Sequence, residues 1–253
     1  MSSRRILFVT EGRRDEPRFL NHMMAVLFNT KPENIFYYEA NIHRMMMNTP
    51  PDEYVNGDYD TVQILREDAH NRNKSFPEGE FSDVFLIFDM DPHDQKYDGG
   101  KHLQDASIIF TESSERGKLF LNYPMMQSYK HICPDDDYLG KMVSIDVIRQ
   151  YKNIVDSECP DHLKHLSRYD ENTLFRIIAL NLKKADLISG KDGTIRENTY
   201  MDLDPSTILS IQIDKFAEES SVFVLNTAVF IPLELSSKMM PKLMDFEMNN
   251  HDQ

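Results

Sequence analysis

At 253 residues with 40% hydrophobic side chains, the chain is long enough to bury a full core, as one large domain or as one domain with an appended helical part. No segment approaches the ~20 apolar residues that cross a bilayer, and the start, MSSRRILFVT, lacks the apolar length and cleavage site of a signal peptide. A cytoplasmic, membrane-free protein is expected. The formal charge of -14 argues against a tight, sequence-independent grip on duplex phosphates, which draws on clustered lysine and arginine.

In chain order, Ile6-Leu7-Phe8-Val9-Thr10 is a short apolar, β-prone run closed by Glu11 and Gly12. A continuous run of this kind fits a central strand of a parallel sheet, buried on both faces. DEPRFLNHMMAVLF then places Phe19, Leu20, Met23, Met24 and Leu27 at helical spacing, with Pro17 in the first turn. IFYY (35–38) reads as a strand, TPPDEYVNGDYD as a turn-rich loop and TVQILREDAHNR (61–72) as a helix. VFLIF (84–88) returns to the sheet and HLQDASIIF (102–110) is a helix. KLFLNY (118–123) is a further strand.

The second half changes character. VSIDVIRQYKNIV (143–155) repeats apolar residues as one amphipathic helix should, and NTLFRIIALNLKKADLI continues the style. DPSTILSIQIDKF opens with Asp204 as N-cap and Pro205 at the first helical position. VFVLNTAVFIPLEL is a strand pair or a buried helix, and the polar tail MDFEMNNHDQ is expected to fray. Two regions result, 1–140 and a mostly helical 141–253, in one α/β protein. Cys133 and Cys159, with 25 residues between them, read as reduced thiols, and His162 with His165 as surface residues.

The chemistry concentrates in FLIFDMDPHD, where Asp89, Asp91 and Asp94 fall within six residues of the end of an apolar run. Each carboxylate raises the cost of ionising its neighbours, and a hard divalent cation offsets this. A calcium loop counted from Asp89 fails, because His93, Asp94 and Gly100 stand where an oxygen ligand, glycine and glutamate belong. The segment is similar to the Asp-x-Asp-x-Thr motif of the haloacid dehalogenase family, in which the first aspartate attacks phosphorus. That family carries the motif on its first strand, whereas 84 residues precede Phe85 here, and Pro92 and His93 replace its small residue and threonine or valine.

Taken together, Glu11-Gly12 in VTEGRRDE and Asp89 with Asp91 in IFDMDPHD, each behind its own strand, resemble the TOPRIM domain shared by topoisomerases, bacterial primases and OLD-type nucleases. Asp15 and Glu16 complete the "EGxxDE" form of nuclease members, and no glycine-rich strand end of the topoisomerase and primase kind lies between the motifs. The resemblance spans roughly the first half of the chain. It implies a mostly parallel TOPRIM-like sheet flanked by helices, and a metal-dependent endonuclease cutting DNA or RNA. Mg²⁺ or Mn²⁺ would be held by Asp89 and Asp91, with Glu11 as general base, acid or third ligand, and Asp15, Glu16 or Asp94 at a second ion.

GKLFLNYPMMQSYKH (117–131) resembles small bacterial TOPRIM proteins of OLD-like and PARIS-type antiphage systems, which are encoded beside an ATPase. That implies a toxic effector held by a partner ATPase, and adds Lys130 and His131 as residues that position phosphate. No phosphate-binding Gly-x-x-x-x-Gly-Lys-[Ser/Thr] loop is present, so nucleotide hydrolysis by that route falls to another chain. The stretch from Val143 to Phe216 is expected to supply the partner surface or a self-association surface. The competing functions are a dehalogenase-type phosphohydrolase with Asp89 as nucleophile, and an inactive scaffold.

Overall fold

A computed structural model describes residues 5–48, 60–68, 71–132 and 135–250. The first apolar run forms β1 (Ile6–Thr10), and α1 (Asp15–Phe28) returns the chain to β2 (Asn34–Tyr37). Helices α2 (Ile42–Asn48) and α3 (Thr61–Glu67) follow, then β3 (Asp83–Asp89), α4 (Lys101–Ile109), β4 (Thr111–Glu112) and β5 (Gly117–Asn122). The sheet order is β2-β1-β3-β5-β4. All neighbours run parallel except β4, which is antiparallel to β5. The chain leaves β1 on one side to build β2 and comes back on the other to build β3. The cleft between the carboxyl ends of β1 and β3 is therefore a topological switch point, where open α/β sheets place their ligands.

The register pairs Ile6 with Asp83 and Thr10 with Ile87, so β1 and β3 end side by side. Every residue of β3 before Asp89 is buried, as a strand covered on both faces demands. Gly117 starts β5 at φ 102, and a Cβ there would stand 2.9 Å from Leu86 Cδ1, so only glycine lets β5 approach β3 this closely.

Beyond the sheet come α5 (Asp135–Gly140), β6 (Met142–Ser144), α6 (Ile145–Ile148), α7 (Tyr151–Glu158), α8 (Asp161–Lys164), α9 (Glu171–Ile188), α10 (Pro205–Glu219), β7 (Ser221–Phe223), α11 (Ile231–Leu235) and α12 (Met239–Asn250). The expected single helix over 143–155 is broken. Met142–Ser144 pairs antiparallel with Ser221–Phe223, and the Ser144 side chain caps a new helix by accepting the Asp146 N–H. Across 222–235 neither expected form holds: a short strand is followed by a 3-10 turn over Ala228–Phe230 and then α11. The tail is helical through Asn250 rather than frayed. The helix from Thr61 stops at Glu67, where the Asp68 N–H turns back to the Ile64 carbonyl. Asp204 and Pro205 open α10 as read from the sequence, with the Asp204 carboxylate accepting the Ser206 N–H. Residues 49–59 of the turn-rich loop, and Cys133, lie outside the described residues.

Much of the apolar surface of the second half is covered within the chain, while Val147, Leu187, Met201 and Met248 stay exposed. Leu174, Ile177, Ile178 and Leu182 of α9 and Ile208 and Leu209 of α10 are buried in one core with Phe85, Phe88 and Phe120 of the sheet. Asn226 joins the halves. Its backbone N–H donates to Asn181 Oδ1 at 2.8 Å, its Nδ2 donates to the Met126 carbonyl at 2.8 Å, and its Oδ1 accepts the Val229 N–H at 3.2 Å. An apolar replacement leaves buried backbone groups without partners. Asn226→Leu is expected to lower the unfolding free energy by about 2–4 kcal/mol in urea melts; a loss below about 1 kcal/mol would show that this network does not hold the halves together.

Candidate metal centre

Glu11 is the first residue beyond β1, and Asp89 the last of β3. The Glu11 N–H donates to the Ile87 carbonyl at 3.1 Å, extending the ladder by one residue. In return the Asp89 N–H donates to Glu11 Oε2 at 3.2 Å, which bends the glutamate across the switch point. Asp91 reaches the same place by a different route from the one the sequence suggests. Alternation along an extended strand would put residues two apart on one face, but β3 has ended, and Asp91 adopts a left-handed backbone at φ 44. The turn closes through the Asp94 N–H, which donates to the Asp91 carbonyl at 3.0 Å. Asp91 then lies close enough to Glu11 for its charge to raise the Glu11 carboxyl. A non-glycine residue in this conformation costs on the order of 1 kcal/mol and persists only where its surroundings hold it.

The Glu11 and Asp89 carboxyls are held well above the usual carboxylate range, by burial first and then by each other's company: Asp91 acts most strongly on Glu11, and Glu11 on Asp89. Asp91 is raised by burial, with His93 and His43 opposing. Glu16 is buried, and its carboxyl too is raised, first by burial, against the opposing influence of the Glu16 and Gly12 backbone. Gly12 leaves this carboxylate room, since a Cβ there would lie 3.0 Å from Glu16 Oε2 and push it back by a few tenths of an ångström. Asp94 adds negative charge beside Glu11 and Asp91, and its Oδ1 accepts the Lys96 N–H at 2.8 Å.

Asp15 faces away. Burial pushes its carboxyl up, but an ion pair with Lys152 and a hydrogen bond from Gln127 at 2.6 Å outweigh this and hold it below its ordinary value. Lys130 pairs with Asp156. His131 is buried, with Nδ1 3.0 Å from the Tyr151 hydroxyl and Nε2 2.8 Å from Glu158 Oε2. Neither bonds to Glu11, Asp89 or Asp91; both brace α7 instead. His162 and His165 are exposed at α8.

Two residues at the centre escape a sequence reading. Asn122, directly opposite Asp89 in the β3–β5 register, donates from Nδ2 to Asp89 Oδ1 at 3.2 Å. Its signal was a polar residue closing an apolar run, the same signal that marks Asp89. His43 is fully buried beneath the Asp91 turn, with Nε2 3.1 Å from the Met90 carbonyl oxygen. Nothing in IHRMMMN announces it.

Among the described residues, Glu11, Asp89 and Asp91 have no lysine or arginine ion-pair partner. The donors are hard oxygens, which fits Mg²⁺ or Mn²⁺ rather than a soft metal. No group of three or more His, Cys, Asp or Glu side chains among the described residues is arranged to hold a metal ion as it stands. The fit is to an ion that takes one or two protein carboxylates and keeps several waters, as Mg²⁺ does. Comparison with known protein families, curated proteins and solved structures returns no match.

A raised carboxyl pKa stabilises the fold fully below the unfolded value near 4, and that contribution is lost as pH rises through the folded value. The metal-free protein should therefore lose stability from these groups as pH climbs from about 4 toward neutrality. Asp89→Asn keeps Oδ1 for Asn122 and removes one charge. In EDTA at pH 7 it should melt higher than wild type, by about 2–4 °C per kcal/mol of repulsion relieved. It should also flatten the decline with pH; a lower melting temperature with an unchanged pH profile would refute the repulsion.

Proposed function

We propose that the chain is a Mg²⁺- or Mn²⁺-dependent nuclease that hydrolyses phosphodiester bonds in DNA or RNA. The observation that carries this reading is the convergence of Glu11, Asp89 and Asp91 at the β1–β3 switch point, without a lysine or arginine ion pair among the described residues. Asp89 and Asp91 would hold the ion. When bound, it polarises the scissile phosphate and offsets charge that builds in the transition state. Asn122 fixes the Asp89 carboxylate through Oδ1, and Thr10 Oγ1, donating to the Gly12 carbonyl at 2.8 Å, fixes the loop behind Glu11.

Burial and the charge of Asp91 hold the Glu11 carboxyl above its ordinary value, which suits it to carry a proton at Oε1 or Oε2 and exchange it with the attacking water or the departing oxygen. Arg14 and Arg18 are exposed on the segment after β1 and can meet substrate phosphates, while Arg13 is paired with Glu39. With a net charge of -14 the free chain holds nucleic acid weakly. An effector of antiphage defence, controlled by an ATPase partner and assembled with other copies, suits that balance and the absence of a phosphate-binding loop.

The dehalogenase-type alternative needs Asp89 as nucleophile and has no use for Glu11, whose contact with the Asp89 backbone N–H favours the nuclease. Labelled DNA and RNA pools, with Mn²⁺ or EDTA, test both. Mn²⁺-dependent cleavage should fall about 10²–10⁴-fold in Glu11→Gln and vanish in Asp89→Asn combined with Asp91→Asn. Full activity in the Glu11 variant, with loss in Asp89→Asn alone on a phosphomonoester, would establish the phosphatase instead.

A further inference from the structure

Met90, the residue between the two aspartates, is fully buried and clamped from both sides. Its N–H donates to the Asn122 carbonyl at 2.9 Å, and its own carbonyl faces His43 Nε2 at 3.1 Å. A carbonyl can only accept, so Nε2 carries the imidazole proton. His43 Nδ1 is then a bare lone pair, and it has no hydrogen-bond partner among the described residues. The ring is wedged where α2 packs on α4, edge-on to Tyr97 with centroids 5.6 Å apart and 6.3 Å from the His102 ring. Burial pulls its basicity down, against the pull of Asp91 and Asp94. A neutral ring of this kind can hold a backbone in place without adding a positive charge that would compete with a cation.

We propose that His43 is a positioning residue: by donating its Nε2–H to the Met90 carbonyl it fixes the left-handed turn that delivers Asp91 to Glu11. The proposal rests on the reading that Asp89 and Asp91 hold a divalent cation. The Met90 N–H bond to Asn122 continues the sheet and places Asp89, whereas the carbonyl bond comes after it in the chain and controls the peptide leading into Asp91. Without a donor at this point the Met90–Asp91 peptide can rotate away from the left-handed geometry, and the Asp91 carboxylate leaves Glu11 while Asp89 stays in register. Removing an outer-shell partner of this kind typically weakens metal binding by about 10–100-fold.

The decisive measurement is Mn²⁺ affinity of the full chain, read as free-ion electron paramagnetic resonance, with thermal melts in EDTA as the control for folding. Glutamine can place its amide nitrogen where imidazole Nε2 lies; asparagine is one bond too short, and leucine donates nothing. His43→Gln should bind Mn²⁺ at the wild-type level, while His43→Asn and His43→Leu weaken it by about 10–100-fold. Should His43→Leu fail to fold, the contrast between Gln and Asn decides. Wild-type affinity in His43→Asn or His43→Leu, with binding still lost in Asp91→Asn, would overturn the positioning role and leave the metal reading intact. Absence of Mn²⁺ binding by the wild-type chain would overturn the metal reading, and this inference with it.

Discussion

The architecture depends on one unfavourable arrangement, four carboxyl groups held together at the carboxyl ends of two central strands. Glu11, Glu16, Asp89 and Asp91 are all raised above their ordinary values, burial being the first cause in each. Like charges in a low-dielectric cleft repel strongly, and nothing local to the four would keep them there. They stay because β1 and β3 are buried apolar strands locked in parallel register, and because backbone N–H groups are aimed at the carboxylates. The favourable burial of the strands offsets the unfavourable crowding at their ends. Perturbed carboxyls in a cleft of this kind mark a candidate functional site.

The second half buttresses that cleft. Asn181 accepts the Asn226 N–H, Asn226 donates to the Met126 carbonyl beyond β5, and the Ala228 N–H donates to Asn122 Oδ1 at 3.3 Å, so Asn122 is oriented from the far half before it orients Asp89. Lys184 of α9 is fully buried and donates to the Tyr138 and Lys141 carbonyls, each at 2.7 Å, tying α5 and β6 to α9. Burial brings its ammonium down to about 7. Lys152, from α7, anchors Asp15 at the start of α1. The site is thus built on the first half and aligned by the second.

The acidic balance of the chain and the polarity of the cleft belong to one design. No helix among the described residues is long and apolar enough to cross a membrane, and several exposed cations near the cleft are already paired, Arg13 with Glu39 and Lys152 with Asp15. Under the proposed function, attraction for phosphate would draw on the exposed Arg14 and Arg18 and on the cation the carboxylates would hold. On that reading metal binding would precede phosphate approach, since the bare carboxylates repel it.

The sequence by itself determined the parallel α/β core and the three central carboxylates. Uninterrupted apolar runs are legible because buried strands tolerate little else, and an acid closing such a run must stand at a strand end. Asp204 and Pro205 were legible for the same local reason, a cap and a first-turn proline being set by neighbours one to three residues away. The break at Ser144, the structured tail and the fate of Asp15, Lys130 and His131 were decided by tertiary structure. Each depends on a partner far along the chain: Ser221–Phe223 for Met142–Ser144, Lys152 for Asp15, Asp156 and Glu158 for Lys130 and His131. His43 and Asn122 became site residues only through packing and register, because an imidazole under a turn and an amide across a ladder leave no periodic trace in the sequence. Local rules fix where a charge can stand; only the fold fixes which charge it meets.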